Sequence, residues 1–199
     1  KDNVFFQRKY FVSYPANVLV AKFSADKPGM QNLTLSYAPN PVSEGTLEKE
    51  GDNELVWKAR LDNNGMQYTV RIRVEAKGGN KSIENGKIQI SGADEVCFYI
   101  TGDTDYKINF APDFNDPKAY VGVNPDETTA EWIKNAATKG YDKLFQEHYN
   151  DYAALFNRME LNINPNAPIT FEFPGIYNLP TNKRLESYRR GKPDYRLEQ

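Results

Sequence analysis

Four carboxylates crowd one stretch of the chain. Asp103 and Asp105 flank Thr104, and Asp113 and Asp116 follow in the same loop-like run. Oxygen ligands gathered in this way are the kind that Ca²⁺ takes. Two of them could also form the acid and base pair of a glycosidase. The spacing lacks the Asp-x-Asp-x-Asp-Gly order of a calcium loop, so the signal is weak and solvated loop charges are the preferred reading of all four. His148 is the single histidine. A triad or zinc centre built on it lacks its other members, since there is no second histidine and no Gly-x-Ser-x-Gly elbow. His148 lies on an apolar helical stripe and reads as a hydrogen-bonded core residue. Cys97 is the single cysteine and sits in the apolar run Val96-Cys97-Phe98-Tyr99-Ile100. It can form neither an intrachain disulfide nor a cysteine-based zinc site, and it reads as a buried, inert thiol. Gly78-Gly79 lies between strands and opens no helix, so it reads as a turn rather than a phosphate cradle. No catalytic, metal-binding or cofactor-binding residue is assigned, and no cofactor is expected.

The elements that hold these residues are mainly β in the first hundred positions. Tyr10–Tyr14, Asn17–Phe23 and Leu33–Tyr37 read as strands, punctuated by Pro15, by Asp26-Lys27-Pro28-Gly29, and by Pro39 and Pro41. Three hairpin signals follow at Gly51-Asp52-Asn53, Asn63-Asn64-Gly65 and Glu84-Asn85-Gly86. Asn-Gly favours the turn whose two central residues need positive φ. Val70, Ile72 and Val74 alternate onto one face of a strand. Short strands at this spacing predict an antiparallel sandwich. From Thr101 to Pro125 the alternation fails, which predicts a long loop of functional or interfacial type.

A helix is expected from about Asp126. Asp126, Glu127, Thr128 and Thr129 offer caps, and Trp132, Ile133, Ala136 and Ala137 share a face. Gly140 should break or bend it. Leu144, His148, Tyr152, Leu155 and Met159 continue the stripe, widened by Phe145, Tyr149 and Phe156. So broad a face must pack on the sheet or on a partner domain. Asn164-Pro165-Asn166-Ala167-Pro168 reads as linker, and residues 174–199 as an extended connector. Domain boundaries are therefore expected at 1–125 for the sandwich, 126–163 for a helical linker and 164–199 for the connector. The chain opens on Lys1 and closes at Gln199 without a terminating pattern, which reads as part of a longer polypeptide.

Composition bounds the partners. Lys+Arg total 25 against 27 Asp+Glu, a net charge of -2. This argues against a nucleic-acid partner. No apolar run approaches the roughly 20 residues of a membrane span, and no signal peptide opens the chain. The 13 Tyr, 11 Phe and 2 Trp suit a sheet core, with a sugar-stacking surface as the alternative use.

Several stretches resemble the N-terminal region of glycoside hydrolase family 95, the inverting α-L-fucosidases. They are Arg8-Lys9-Tyr10-Phe11-Val12-Ser13-Tyr14-Pro15, Ala25-Asp26-Lys27-Pro28-Gly29 and Ile90-Ser91-Gly92-Ala93-Asp94. Gly140-Tyr141-Asp142-Lys143-Leu144 with His148, Asp151-Tyr152, Leu155-Phe156 and Arg158 continues the series, and Leu179-Pro180-Thr181-Asn182-Lys183-Arg184-Leu185 closes it. The order spans nearly the whole chain. The resemblance implies a parent enzyme in which a β-sandwich, part of a super-sandwich, precedes a helical linker, an (α/α)6 barrel and a C-terminal β domain. It implies hydrolysis of terminal α-1,2-linked L-fucose by a glutamic acid, and by water held by asparagines and an aspartate, all in the barrel. Nothing here aligns with those residues. The implied partners are the barrel of the same polypeptide and, through the parent, fucosylated glycans. The implied location is secreted or periplasmic. Relatives carry more sequence before the Arg-x-Tyr-Phe strand, so an exposed sheet edge is expected, and the 101–125 loop is expected near the barrel's active-site rim. A free-standing carbohydrate-binding module is the alternative reading, and a structural β domain of an unrelated enzyme the third.

Overall fold

The computed structural model describes residues 3–160, 179–192 and 194. The chain divides into two compact units, Lys1–Tyr152 and Ala153–Gln199. The expected linker at 164–168 lies outside the described residues.

The strands of the first unit are β1 (Phe6–Ser13), β2 (Val18–Ala25), β3 (Gln31–Ser36), β4 (Ser43–Glu50), β5 (Glu54–Leu61), β6 (Gln67–Lys77), β7 (Asn80–Glu84), β8 (Lys87–Ala93) and β9 (Glu95–Thr104). They form a six-stranded sheet in the order β1-β2-β9-β6-β5-β4 and a three-stranded sheet in the order β3-β8-β7. All the pairings are antiparallel. The three predicted hairpin turns join β4 to β5, β5 to β6 and β7 to β8. In the last, Asn85 (φ 50°) and Gly86 (φ 69°) both take the left-handed region that this tight turn demands.

Period-two alternation sorts each central strand between two layers. Ala21 of β2, Leu55 of β5, Ile72 and Val74 of β6 and Val96 and Phe98 of β9 face the small sheet. There they meet Ile83, Ile88, Ile90 and Ala93. The opposite face of the large sheet presents Phe11, Val18, Val20, Cys97 and Tyr99. These pack against Ile133, Ala136 and Leu144 of helix α1 (Pro125–Phe156). Each such aliphatic or aromatic side chain contributes about 1.5–3 kcal/mol when fully buried. The unit is thus small sheet, large sheet and helix.

Several details differ from the sequence expectation. β9 runs through Thr101–Thr104, where a loop is expected. Gly102 and Asp103 read as breakers, but the backbone of Val70 and Thr69 in β6 pairs with them. The loop proper is therefore shorter at its start. The helix is capped by Asn124, whose Oδ1 accepts from the Asp126 N–H at 3.0 Å, rather than by the residues that follow. Gly140 (φ 71°, ψ 173°) does interrupt the helix, and the two halves meet there in a kink. Part of the expected extended connector is helical, as α2 (Thr181–Arg189). In that second unit Arg184 grips the fully buried Asp194 with two hydrogen bonds, at 2.8 and 2.6 Å.

β1 is an edge of the large sheet, as expected. Tyr10 and Val12 stand exposed on it. Tyr10 leans edge-on against Phe23 at 5.8 Å.

Candidate functional site

The small sheet covers only part of the large one. Where it stops, the inner face of β5, β6 and β9 opens into a cleft of about 540 Å³. Tyr37, just past β3, and Tyr68 and Val70 of β6 line it, with Asn40, Asp103 and Thr104 adding polar groups. The aromatic wall is tied together. Trp57 Nε1 donates to Tyr68 Oη at 3.0 Å, and that hydroxyl shares a second bond with Ser43 Oγ at 2.7 Å. The Tyr37 and Trp57 rings sit 5.9 Å apart. Burial, then the neighbouring Tyr68, push the Tyr37 hydroxyl pKa up, so it stays a neutral donor. The cleft holds one carboxylate, Asp103, whose Oδ1 already accepts from the Thr104 N–H at 2.8 Å. Glycosidic bond cleavage uses two carboxylates facing each other across a bond. An aromatic wall with a few polar groups at its mouth instead suits noncovalent capture of a small polar ring.

Beside the cleft runs the loop that joins β9 to α1. Its neck is closed by the Tyr106–Val121 bridge, by Lys107 N–H to Tyr120 O at 2.7 Å and by Gly122 N–H to Asp105 O at 2.6 Å. The Tyr106 and Tyr120 rings lie nearly parallel, 6.0 Å apart. The four singled-out carboxylates, Asp103 at the end of β9 and three in this loop, do not converge. Asp105 is buried and accepts from the Gln67 N–H at 3.0 Å and from Gln67 Nε2 at 3.4 Å. Asp113 and Asp116 each close a local turn on the N–H two residues ahead, at 2.9 and 2.8 Å. Among the described residues no cluster of three or more His, Cys, Asp or Glu could hold a metal ion.

His148 is half-buried rather than a hydrogen-bonded core residue. Its ring stacks on Phe11 at 5.0 Å and on Tyr152 at 6.2 Å. The kink at Gly140 tilts this half of the helix so that Tyr141 and Phe145 also reach Phe11 edge-on. Cys97 is buried as expected, and burial pushes its thiol up to about 11.

An ionic hub was not foreseen. Arg71 of β6 is buried on the helix side of the large sheet. Its Nε donates to Thr129 Oγ1 at 3.2 Å, Nη1 to Glu50 at 2.6 Å and Glu54 at 3.4 Å, and Nη2 to Asp126. Lys58 bridges Asp126 at 2.9 Å and Glu50 at 3.2 Å. The hydrogen bond from Arg71 holds the Glu50 carboxyl below its usual range. For Asp126 burial acts upward, but the bonds from Lys58 and Arg71 outweigh it and the net shift is downward. A general acid needs the opposite shift. The hub is a clamp on the helix start. The signal was an arginine on the strand face opposite Ile72, a face that some element had to cover.

Comparison with known proteins places these features. Residues 1–109 match the family model described as "Glycosyl hydrolase family 65, N-terminal domain". The chain is 27% identical over 198 residues to "Probable alpha-fucosidase A" of Aspergillus niger, covering 92% of this chain and 23% of that protein. It is 24% identical over 181 residues to "Alpha-L-fucosidase 2" of Arabidopsis thaliana, covering 80% of this chain and 21% of that protein. The chain thus spans less than a quarter of the length of either relative. A solved structure described as a kojibiose phosphorylase from the human microbiome superposes with a TM-score of 0.49 at 9% identity, over 77% of this chain and 21% of its own.

Proposed function

This chain belongs to the family of glycosyl hydrolase family 65 N-terminal domains, and from that premise we propose that it is the non-catalytic N-terminal β-sandwich and helical linker of a larger glycoside hydrolase. The observation that carries the reading is the pair of fucosidase relatives, of which it matches only 23% and 21%. The site geometry is consistent, since the cleft offers a single carboxylate and the shifted carboxylates of the hub move the wrong way for a general acid.

The finer assignment is a parent of the family 95 type that releases α-1,2-linked L-fucose with inversion. Its sandwich at 1–125 and linker at 126–163 brace a catalytic barrel reached through the connector at 164–199. Fucosylated glycans are then substrates of the parent, and no cofactor or nucleic-acid partner is proposed. The parent would be secreted or periplasmic. Among the described residues no helix is long and apolar enough to cross a membrane.

The test compares this chain with the full polypeptide that carries it, each incubated with an α-1,2-fucosylated oligosaccharide. Fucose release by the full polypeptide alone supports the reading. Release by this chain well above a buffer blank overturns it.

A second reading, a free-standing carbohydrate-binding module, is favoured by the wall of Tyr37 and Tyr68, which the buried Trp57 supports. Titration with millimolar fucosylated glycan would then shift the amide resonances of Tyr68 and Val70. No shift at any residue removes it.

A further inference from the structure

We propose that the loop from Tyr106 to Val121 is the docking element by which this domain grips the remainder of its parent polypeptide, with Phe110 and Phe114 as the two anchors. The proposal rests on the reading of this chain as one domain of a larger enzyme.

Phe110 is 96% exposed and Phe114 87% exposed. Single exposed apolar residues are ordinary, but two phenylalanines standing almost wholly in water on one loop are not. The loop that holds them is internally tied. Asn109 Nδ2 donates to Ala119 O at 3.0 Å, while Asn109 Oδ1 accepts from the Ala111 N–H at 3.1 Å. Pro112 restricts the backbone between the two rings. The turns at Asp113 and Asp116 and the bridged neck complete the frame. Such a frame fixes the backbone that carries the rings, so docking has less loop entropy to remove. Rigidly held aromatic side chains that fill a partner's pockets are the usual energetic centres of an interface.

The shape selects the occupant. Neither ring lines the cleft beside the loop. They are convex knobs, whereas a small-ligand site is concave and carries polar groups that fix orientation. Phenylalanine has no such polar handle. A second copy of this chain is the competing occupant, and dilution separates the two. The proposed occupant is polypeptide that lies outside this chain. In the two fucosidase relatives more than three-quarters of the length lies outside the matched region.

The experiment is hydroxyl-radical footprinting of the full parent polypeptide, with a synthetic peptide spanning residues 105–124 as the exposed reference. The expected result is labelling of Phe110 and Phe114 severalfold slower in the parent than in the peptide. In the F110S/F114S parent, the loss of protection should spread to Tyr106 and Tyr120. Labelling of both phenylalanines at the peptide's rate overturns the proposal, as does protection that disappears on dilution, which would point to a second copy. Fucose release is measured on the same preparation. Activity with unprotected rings sinks the docking and leaves the proposed function standing. Protected rings without activity do the reverse.

Discussion

Arg71 Nε donates to Thr129 Oγ1 at 3.2 Å, and both side chains are buried. This bond joins the middle of β6 to the first turns of α1, on the face of the sheet away from the sandwich core. The Thr129 hydroxyl in turn donates a hydrogen bond to the Pro125 carbonyl at 2.7 Å, so the helix start is locked into the same network.

Arg71→Ala is therefore expected to destabilise the fold strongly. Removing the buried guanidinium leaves Glu50 and Asp126 with Lys58 alone and takes the charged donor from Thr129, at about 1.5–3 kcal/mol. Arg71→Lys should fall between, because an ammonium cannot reproduce the planar fork. Urea unfolding followed by circular dichroism measures both. A loss under about 1 kcal/mol for the alanine variant would show that the hub contributes little.

The hub also sets an acid sensitivity. Glu50 and Asp126 have folded pKa values below their ordinary 4.5 and 3.8. A depressed carboxylate stabilises the fold above its unfolded pKa, and that contribution is lost as pH falls through the folded value. The melting temperature should therefore be insensitive to these groups near pH 7 and fall below about pH 4. The Glu50→Gln/Asp126→Asn variant should show a shallower acid decline. An identical decline in both proteins would place the sensitivity elsewhere.

Gly140→Ala should cost about 1–3 kcal/mol through backbone strain alone. A Cβ there meets nothing within 4 Å, so crowding plays no part, while φ of 71° is left-handed. Gly140→Asn should cost about as much, since ψ of 173° lies outside the left-handed helical well that asparagine tolerates. Should alanine prove stabilising, the kink would be dispensable and a straight helix acceptable.

The Cys97 thiol, pushed up to about 11 by burial, should resist an aromatic disulfide reagent at pH 8 in the native protein. In strong denaturant one equivalent should react at once. Prompt native-state labelling would mean that β9 opens readily.

The turns and the core alternation were legible in the sequence. Asn85-Gly86 has one backbone solution, and Val70, Ile72 and Val74 could face only one way if a core was to form. Three features were not legible, each for a physical reason. Thr101–Thr104 looks like loop because Gly102 and Asp103 have weak strand preference, and the bonds that make them strand come from β6, distant in sequence. Helix α2 has few apolar residues, so it shows no periodic stripe to detect. Asp103, Asp105, Asp113 and Asp116 looked like one cluster because they are close in sequence. Only the folded loop shows Asp105 turned inward to Gln67, with Asp113 and Asp116 turned onto their own backbone.

The helix that covers Tyr99 and Val20 has a consequence for synthesis. Strands β1, β2 and β9 are complete by residue 104, yet the residues that shield their outer face, Ile133, Ala136 and Leu144, come later in the chain. At about 5–20 residues per second, the interval between residues 99 and 144 lasts roughly 2–10 s. During that time a growing chain carries a finished sheet with one greasy side uncovered. Until the helix emerges, that side is the part of the growing chain most prone to sticking.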